Sequence, residues 1–234
     1  QVYPEQTDTL AAQSFPMCMK ILHRKLRENH HLKHLGRQQY GLFLKGIGLS
    51  LEDALRFWRE EFTKIITVDK FEKDYAYNIR HSYGKEGKRT NYAPYSCNKI
   101  ISGMSPPGVG EYHGCPFKTL DADNLRVALK VESNGVVTGN DAESIIDLCK
   151  KQHYQLACRR FFELTHPNAS KYLDKEEGDL PFQHPNMYYR MSRRIYEAEG
   201  VSSEQVAKQM PAEEVISEPV ESEALSKPVE PDTI

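Results

Sequence analysis

The sequence predicts a mainly helical fold, and three observations carry that prediction. Apolar residues recur every three or four positions through most of residues 14–164. No alternating apolar run is long enough to seed a large sheet, so β-structure is limited to a small hairpin in the irregular stretches. Residues 1–200 hold every aromatic side chain, enough for one domain or for two small lobes sharing a core.

Taken in order, "SFPMCMKILHRKLRENHH" is expected to be a helix opened by Ser14, with Pro16 in its first turn. Phe15, Met19, Leu22 and Leu26 form its apolar face and Lys20, Arg24 and Lys25 the opposite one. A second helix covers "RQQYGLFLK" and stops at "GIG". Ser50 caps "SLEDALRFWREEF", whose buried stripe is Leu51, Ala54, Leu55, Trp58 and Phe62. A shorter helix spans "DKFEKDYAYNI", and Pro94 starts another that carries Cys97. Helices follow at 121–131, 141–150 and 152–164, the first begun by Asp121 and Asp123. Residues 80–91 and "SGMSPPGVGEYHG" show no period.

The net charge of −2 hides two opposite regions. Residues 201–234 hold eight acids, two lysines, four prolines and no aromatic, so they carry −6 and read as a disordered tail. Residues 1–200 are therefore +4. No apolar run could span a bilayer, and no signal peptide is visible. Gln1 in place of Met reads as the start of an excised piece of a longer chain.

Five cysteines, an odd number without secretory features, argue for free thiols or metal ligands in a reducing compartment. None are paired at Cys-x-x-Cys spacing, so spacing alone supports a metal site weakly. Cys115-Pro116 is a step that recurs beside iron–sulfur clusters. The competing reading makes the helical cysteines small core hydrophobes.

From Lys20 to Lys45 lie seven Lys or Arg residues, four histidines and one acid. Such donors suit phosphate oxygens, and like charges at helical spacing would otherwise repel. A solvated helix face or histidine metal ligands are the alternatives. In "IRHSYGKEGKRTNYAPYSC", Gly84 and Gly87 interleave with Lys85, Lys88, Arg89, Tyr83 and Tyr92, which suits a single strand of nucleic acid. A mobile basic loop reads equally well. No catalytic motif is present: there is no Gly-x-Ser-x-Gly or His-Glu-x-x-His, and Asp121-x-Asp123 only faintly echoes a two-metal site.

"FPMCMKILHRKLRENHHLKHLGRQQYGLFLKGIGLSLEDALRFW", "YNIRHSYGKEGKRTNYAPYSCNKII", "EYHGCPF" and "HYQLACRRFFE" closely resemble the C-terminal domain of the eukaryotic DNA primase large subunit, over roughly residues 14–190. The resemblance implies a helical domain of two lobes around a buried [4Fe–4S] cluster. Its ligands would be Cys18, Cys97, Cys115 and Cys158, with Cys149 left to the core. With the composition of the tail, this divides the chain into an N-terminal lead-in at 1–13, the domain at 14–195 and a disordered acidic tail at 196–234.

The resemblance further implies a non-catalytic role in the nucleus. The polymerising activity would belong to the small primase subunit, and the pair would work with the catalytic and accessory subunits of DNA polymerase α. His30, His31, Lys33, His34, Arg37 and Lys45 would then hold the 5′-triphosphate and backbone of the RNA primer in an RNA–DNA duplex. Arg80, His81, Lys85, Lys88 and Arg89 would lie along the single-stranded template, with Tyr75 and Tyr77 stacking. Trp58 is expected in the core. The alternative is a zinc-stabilised module that binds DNA or a protein partner, with "GLFLKGIGLSLEDALRFW" as a helix-turn-helix. An iron–sulfur photolyase-like enzyme would need a flavin motif that the sequence lacks.

Overall fold

Two buried apolar clusters organise the chain, and two helices contribute to both. The computed structural model describes residues 1–172 and 181–200. The acidic segment 201–234, read above as disordered, lies outside the described residues.

A 3-10 turn at Pro4–Gln6 leads into α1 (Thr7–Ser14). Residues 1–13, read as a lead-in, thus fold, and Val2, Leu10 and Ala11 are buried in the first cluster. Helix α2 (Met17–Asn29) begins three residues later than expected. Pro16 disfavours the helical region for Phe15, which is extended at φ −80 and ψ 141, so Ser14 closes α1 instead of opening α2. His30 ends α2 in the left-handed region at φ +53, so His30 and His31 leave the helix.

Helix α3 (His34–Gly46) starts three residues before "RQQYGLFLK". At Gly36 the helices α2 and α3 pack closely: a Cβ there would lie 3.2 Å from Leu22 Cδ2 on α2 and would require that side chain to shift. Ser50 caps α4 (Leu51–Phe62) by accepting from Asp53 N. Ala54, Trp58 and Phe62 are buried as expected, while Leu51 and Leu55 are half-buried and Phe57 and Glu61 take their places inside.

Helix α5 (Val68–Phe71) passes through a π-helical turn, Glu72–Ala76, into α6 (Tyr77–Ser82). The expected hairpin reduces to one antiparallel bridge, Tyr83 to Asn91, which closes the basic loop on itself. Helix α7 (Cys97–Ser102) is capped by Ser96, with Pro94 outside it. Helices α8 (Pro116–Thr119), α9 (Ala122–Glu132), α10 (Gly139–Lys150), α11 (Tyr154–Thr165) and α12 (Ala169–Tyr172) follow. Asp121 caps α9 through Asp123 N and Asn124 N, in the place its residue type predicts.

No element is expected above for residues 185–198, yet α13 (Pro185–Ala198) is the longest helix described. His184 caps it, Pro185 occupies its first turn, and Tyr188, Met191 and Ile195 are buried at three- and four-residue spacing. It runs past the boundary placed at residue 195.

The first cluster centres on Phe15, whose ring meets Phe43 edge-on at 4.8 Å. The second gathers Phe117, Phe161, Phe162, Phe182 and Tyr188. Helix α2 places Met17 in the second cluster and Met19, Leu22 and Leu26 in the first, so the seam between clusters runs along it.

Candidate metal centre and nucleic-acid interface

The four cysteines named from the resemblance converge on this seam. Cys18 sits in the first turn of α2, Cys97 at the start of α7, Cys115 before α8 and Cys158 in α11. All four line one apolar pocket with Pro16, Ile100, Phe117 and Tyr188. Cys115 packs against both clusters. None forms a disulfide. Cys149 lies in the last turn of α10 and does not line the pocket.

Burial pushes the Cys97 thiol up to about 12 and the Cys115 thiol up to about 11, with the Cys115 thiol adding to the shift at Cys97. Cys18 and Cys158 are raised further by burial and by repulsion from the other thiols of the group. Iron would relieve that repulsion by taking the sulfurs as thiolates. Among the described residues, no three His, Cys, Asp or Glu side chains converge on one point as a single ion requires. A zinc ion needs all its sulfurs about 2.3 Å from its centre. A four-iron cluster takes one thiolate at each iron, so its ligands stand further apart. Four thiols on one pocket match in number the four thiolates that a four-iron cluster takes.

A second groove, lined by polar and aromatic side chains together, opens beside α3. His34, Arg37 and Gln38 form one wall, and Tyr75, Asn78, His81 and Ser82 the other, over a floor that includes Trp58. Trp58 is only 3% exposed, a core residue that also underlies the groove. Arg37 donates to Leu32 O at 2.7 Å and stacks its guanidinium 4.8 Å from the Tyr75 ring centre. Burial lowers its pKa and that of His31.

The remaining basic residues named above are held in other ways. His30 Nδ1 meets Glu61 Oε1 at 2.7 Å, and Arg27 and Lys64 reach the same carboxylate. His31 packs on Phe62 and contacts the Tyr75 hydroxyl at 3.3 Å. Lys33 donates to Val109 O at 2.9 Å. Lys45 donates to Ser82 O and Tyr92 O and to the Asn91 side chain, and so braces the basic loop. Only His34 and Arg37 of that set line the groove.

In the loop, Arg80 Nε pairs with Glu86 at 2.7 Å, and His81 stacks on Tyr77 and meets the Tyr92 ring at a tilt. Tyr77 is 47% exposed, whereas Tyr75 is packed among Phe62, Phe71 and His31. Lys85, Lys88 and Arg89 are exposed, with Gly84, Gly87 and Arg89 all at positive φ. A positive φ at Gly84 costs nothing, and a Cβ there would crowd three backbone atoms at 3.1–3.3 Å.

Similarity to known proteins agrees with this geometry. A family model for the C-terminal domain of the large subunit of eukaryotic and archaeal DNA primase matches residues 8–189. The chain belongs to this family. A DNA primase large subunit of Mus musculus is 50% identical over 195 residues, 82% of this chain and 36% of that one. One of Homo sapiens is 47% identical over 209 residues, 88% of this chain and 39% of that one. A probable DNA primase large subunit of Arabidopsis thaliana is 48% identical over 192 residues, 82% of this chain and 39% of that one. This primase-family chain thus spans under two-fifths of the length of these relatives.

Sequence reasoning missed two residues that organise these sites. Gln39 and Glu61 are polar, buried and hydrogen-bonded between segments. Their signal was a polar residue among the apolar positions of a helix, which a search for basic clusters passes over. No described helix is long and apolar enough to cross a membrane.

Proposed function

We propose that this chain is a non-catalytic domain of a DNA primase that binds the template strand together with the 5′-triphosphate end of the RNA primer. Cys18, Cys97, Cys115 and Cys158 would hold a [4Fe–4S] cluster. The observation that carries the reading is the convergence of these thiols, up to 140 residues apart in sequence, on one apolar pocket. When bound, such a cluster cross-links distant helices and can exchange one electron.

The chain's own residues supply the binding. His34 and Arg37 would meet the triphosphate, where charge is denser than along an internal backbone, so end recognition needs no base contact. Lys33 and Lys45 would join them by exchanging carbonyl partners for phosphate oxygens. Tyr77, Tyr92 and His81 offer stacking faces, and Lys85, Lys88 and Arg89 would track the template. In this role the domain supports primer initiation, length counting and hand-off. Synthesis would belong to the small primase subunit, and DNA polymerase α with its accessory subunit would receive the primer, in the nucleus.

The helix-turn-helix alternative fits poorly. Its second helix would be α4, which carries four acids against two arginines and would be repelled by a DNA groove.

The test is iron, sulfide and zinc content of anaerobically purified protein, beside Cys115→Ser and Cys149→Ser. Four irons and four sulfides, the composition of a cubane cluster, should be lost with Cys115 and kept without Cys149. Stoichiometric zinc in a colourless protein would refute the cluster. Equal affinity for 5′-triphosphate and 5′-hydroxyl primers on the same overhanging template would refute end recognition.

A further inference from the structure

A buried side chain ties the helix that lines the groove to the segment that carries Cys115. Gln39 lies on α3, two residues beyond Arg37, and is fully buried. Its Oε1 accepts from Gly114 N at 2.7 Å, and its Nε2 donates to Gly114 O at 3.2 Å. Both halves of the amide are thus spent on one glycine, the residue before Cys115. Gln38, its neighbour, faces the other way, lining the groove and accepting from the Tyr95 hydroxyl at 3.3 Å.

The backbone around Cys115 is fixed on both sides. Upstream, Gly114 is at φ +93, a conformation that suits glycine, and it is held there by Gln39. Downstream, Cys115 O accepts from Lys118 N, Thr119 N and Thr119 Oγ1. His113, 2% exposed, secures the preceding turn by donating from Nε2 to Ser105 O at 2.8 Å. Within the described residues, the amide of Gln39 is the direct hydrogen-bonded tie from α3 to this segment.

We infer that Gln39 is a positioning residue that aims Cys115 at the cluster and couples cluster retention to ligand binding on α3. This rests on the reading proposed above. An α-helix moves as a rigid unit, so a triphosphate that fixes His34 and Arg37 also fixes Gln39, and through it Gly114 and Cys115. Glutamine is suited to this because it donates and accepts at once in a planar fork. Leucine at this position would leave the Gly114 N–H and C=O buried without partners. Outer residues that orient a metal ligand typically change metal retention on the order of 10- to 100-fold. Coupling between two sites commonly spans about 5- to 150-fold.

The test follows the loss of cluster absorbance under a chelator in the full chain, with and without saturating triphosphorylated primer on an overhanging template. In the native protein, primer–template should slow the loss on the order of fivefold or more. In Gln39→Leu, loss should be on the order of 10-fold faster without ligand, and ligand should no longer protect. Gln39→Glu keeps the volume and the bond from Gly114 N, covers the case in which leucine prevents folding, and should fall between. Ser133→Ala serves as control. It removes a buried hydroxyl that accepts from Val137 N at 2.9 Å and lines neither the groove nor the cysteine pocket, and it should leave protection intact. A coloured protein whose protection survives both Gln39 substitutions overturns this inference alone. A protein purified without iron overturns the cluster reading and this inference with it.

Discussion

Glu61 offers the sharpest test of how the basic segment is held. Its side chain is 1% exposed and takes hydrogen bonds from Arg27, His30 and Lys64, so one carboxylate ties the end of α2 to α4. Removing one member of a buried ion pair costs about 3–5 kcal/mol. Here the cations are 32–51% exposed, and water recovers part of that once the carboxylate is gone. Glu61→Gln, which keeps the shape, should therefore cost about 2–3 kcal/mol. For a domain of this size that lowers the melting midpoint by about 4–12 °C. The pH dependence gives a second readout. Burial opposes ionisation of Glu61, but the hydrogen bonds from His30, Lys64 and Arg27 outweigh it and hold the carboxyl below its ordinary value. A depressed carboxylate stabilises the fold above the unfolded value of about 4.3, and that contribution is lost as pH falls through the lower folded value. Circular-dichroism melts from pH 7 to 3, at constant cluster content, should show a smaller acid loss in Glu61→Gln than in native protein. A midpoint within 1 °C of native at pH 7, the resolution of a careful melt against the shift expected, would refute the reasoning. So would an unchanged acid profile.

Four further outcomes are expected. Replacing Lys85, Lys88 and Arg89 with Ala should weaken template binding uniformly across sequences and flatten the salt dependence by about three phosphate equivalents; a salt titration of affinity checks this. Phe15→Ala should cost about 3–5 kcal/mol in chemical denaturation, because the ring is fully buried where four aromatic rings meet it. Burial lowers His166 to about 4, with Ser192 Oγ 2.8 Å from its Nε2, so the neutral ring stabilises the fold above pH about 6.5. That stability should drain away as pH falls towards 4, and His166→Gln should remove this step from a stability–pH profile. Deleting residues 201–234 should leave iron content and primer–template affinity nearly unchanged, as measured by metal analysis and equilibrium binding.

Several features were legible from residue type and spacing alone. Helices α4, α9, α10 and α11 sit within a few residues of where their caps and apolar periods place them, because capping and amphipathicity are local properties. The family was legible as well, since long stretches around the cysteines match in order and type. Two boundaries misled for local reasons. Pro16 displaces the start of α2 through the residue before it, and the left-handed His30 ends the helix before the histidine pair. Helix α13 carried its signal in Pro185, Tyr188, Met191 and Ile195.

The tertiary structure alone decided which basic residues face the groove. Sequence spacing makes His30, Lys33, His34, Arg37 and Lys45 equivalent donors, yet only His34 and Arg37 line it. Glu61, 31 positions from His30, claims one, and carbonyls of Val109, Ser82 and Tyr92 claim Lys33 and Lys45. In the same way, four thiols without a metal-binding spacing come to line one apolar pocket. A hydrogen bond across 75 positions, Gln39 to Gly114, leaves no periodic trace. Local propensity therefore determined most of the elements, and the match of long stretches the family. Which side chains face the groove was decided by long-range pairing, because a buried polar group must find a partner wherever in the chain that partner lies.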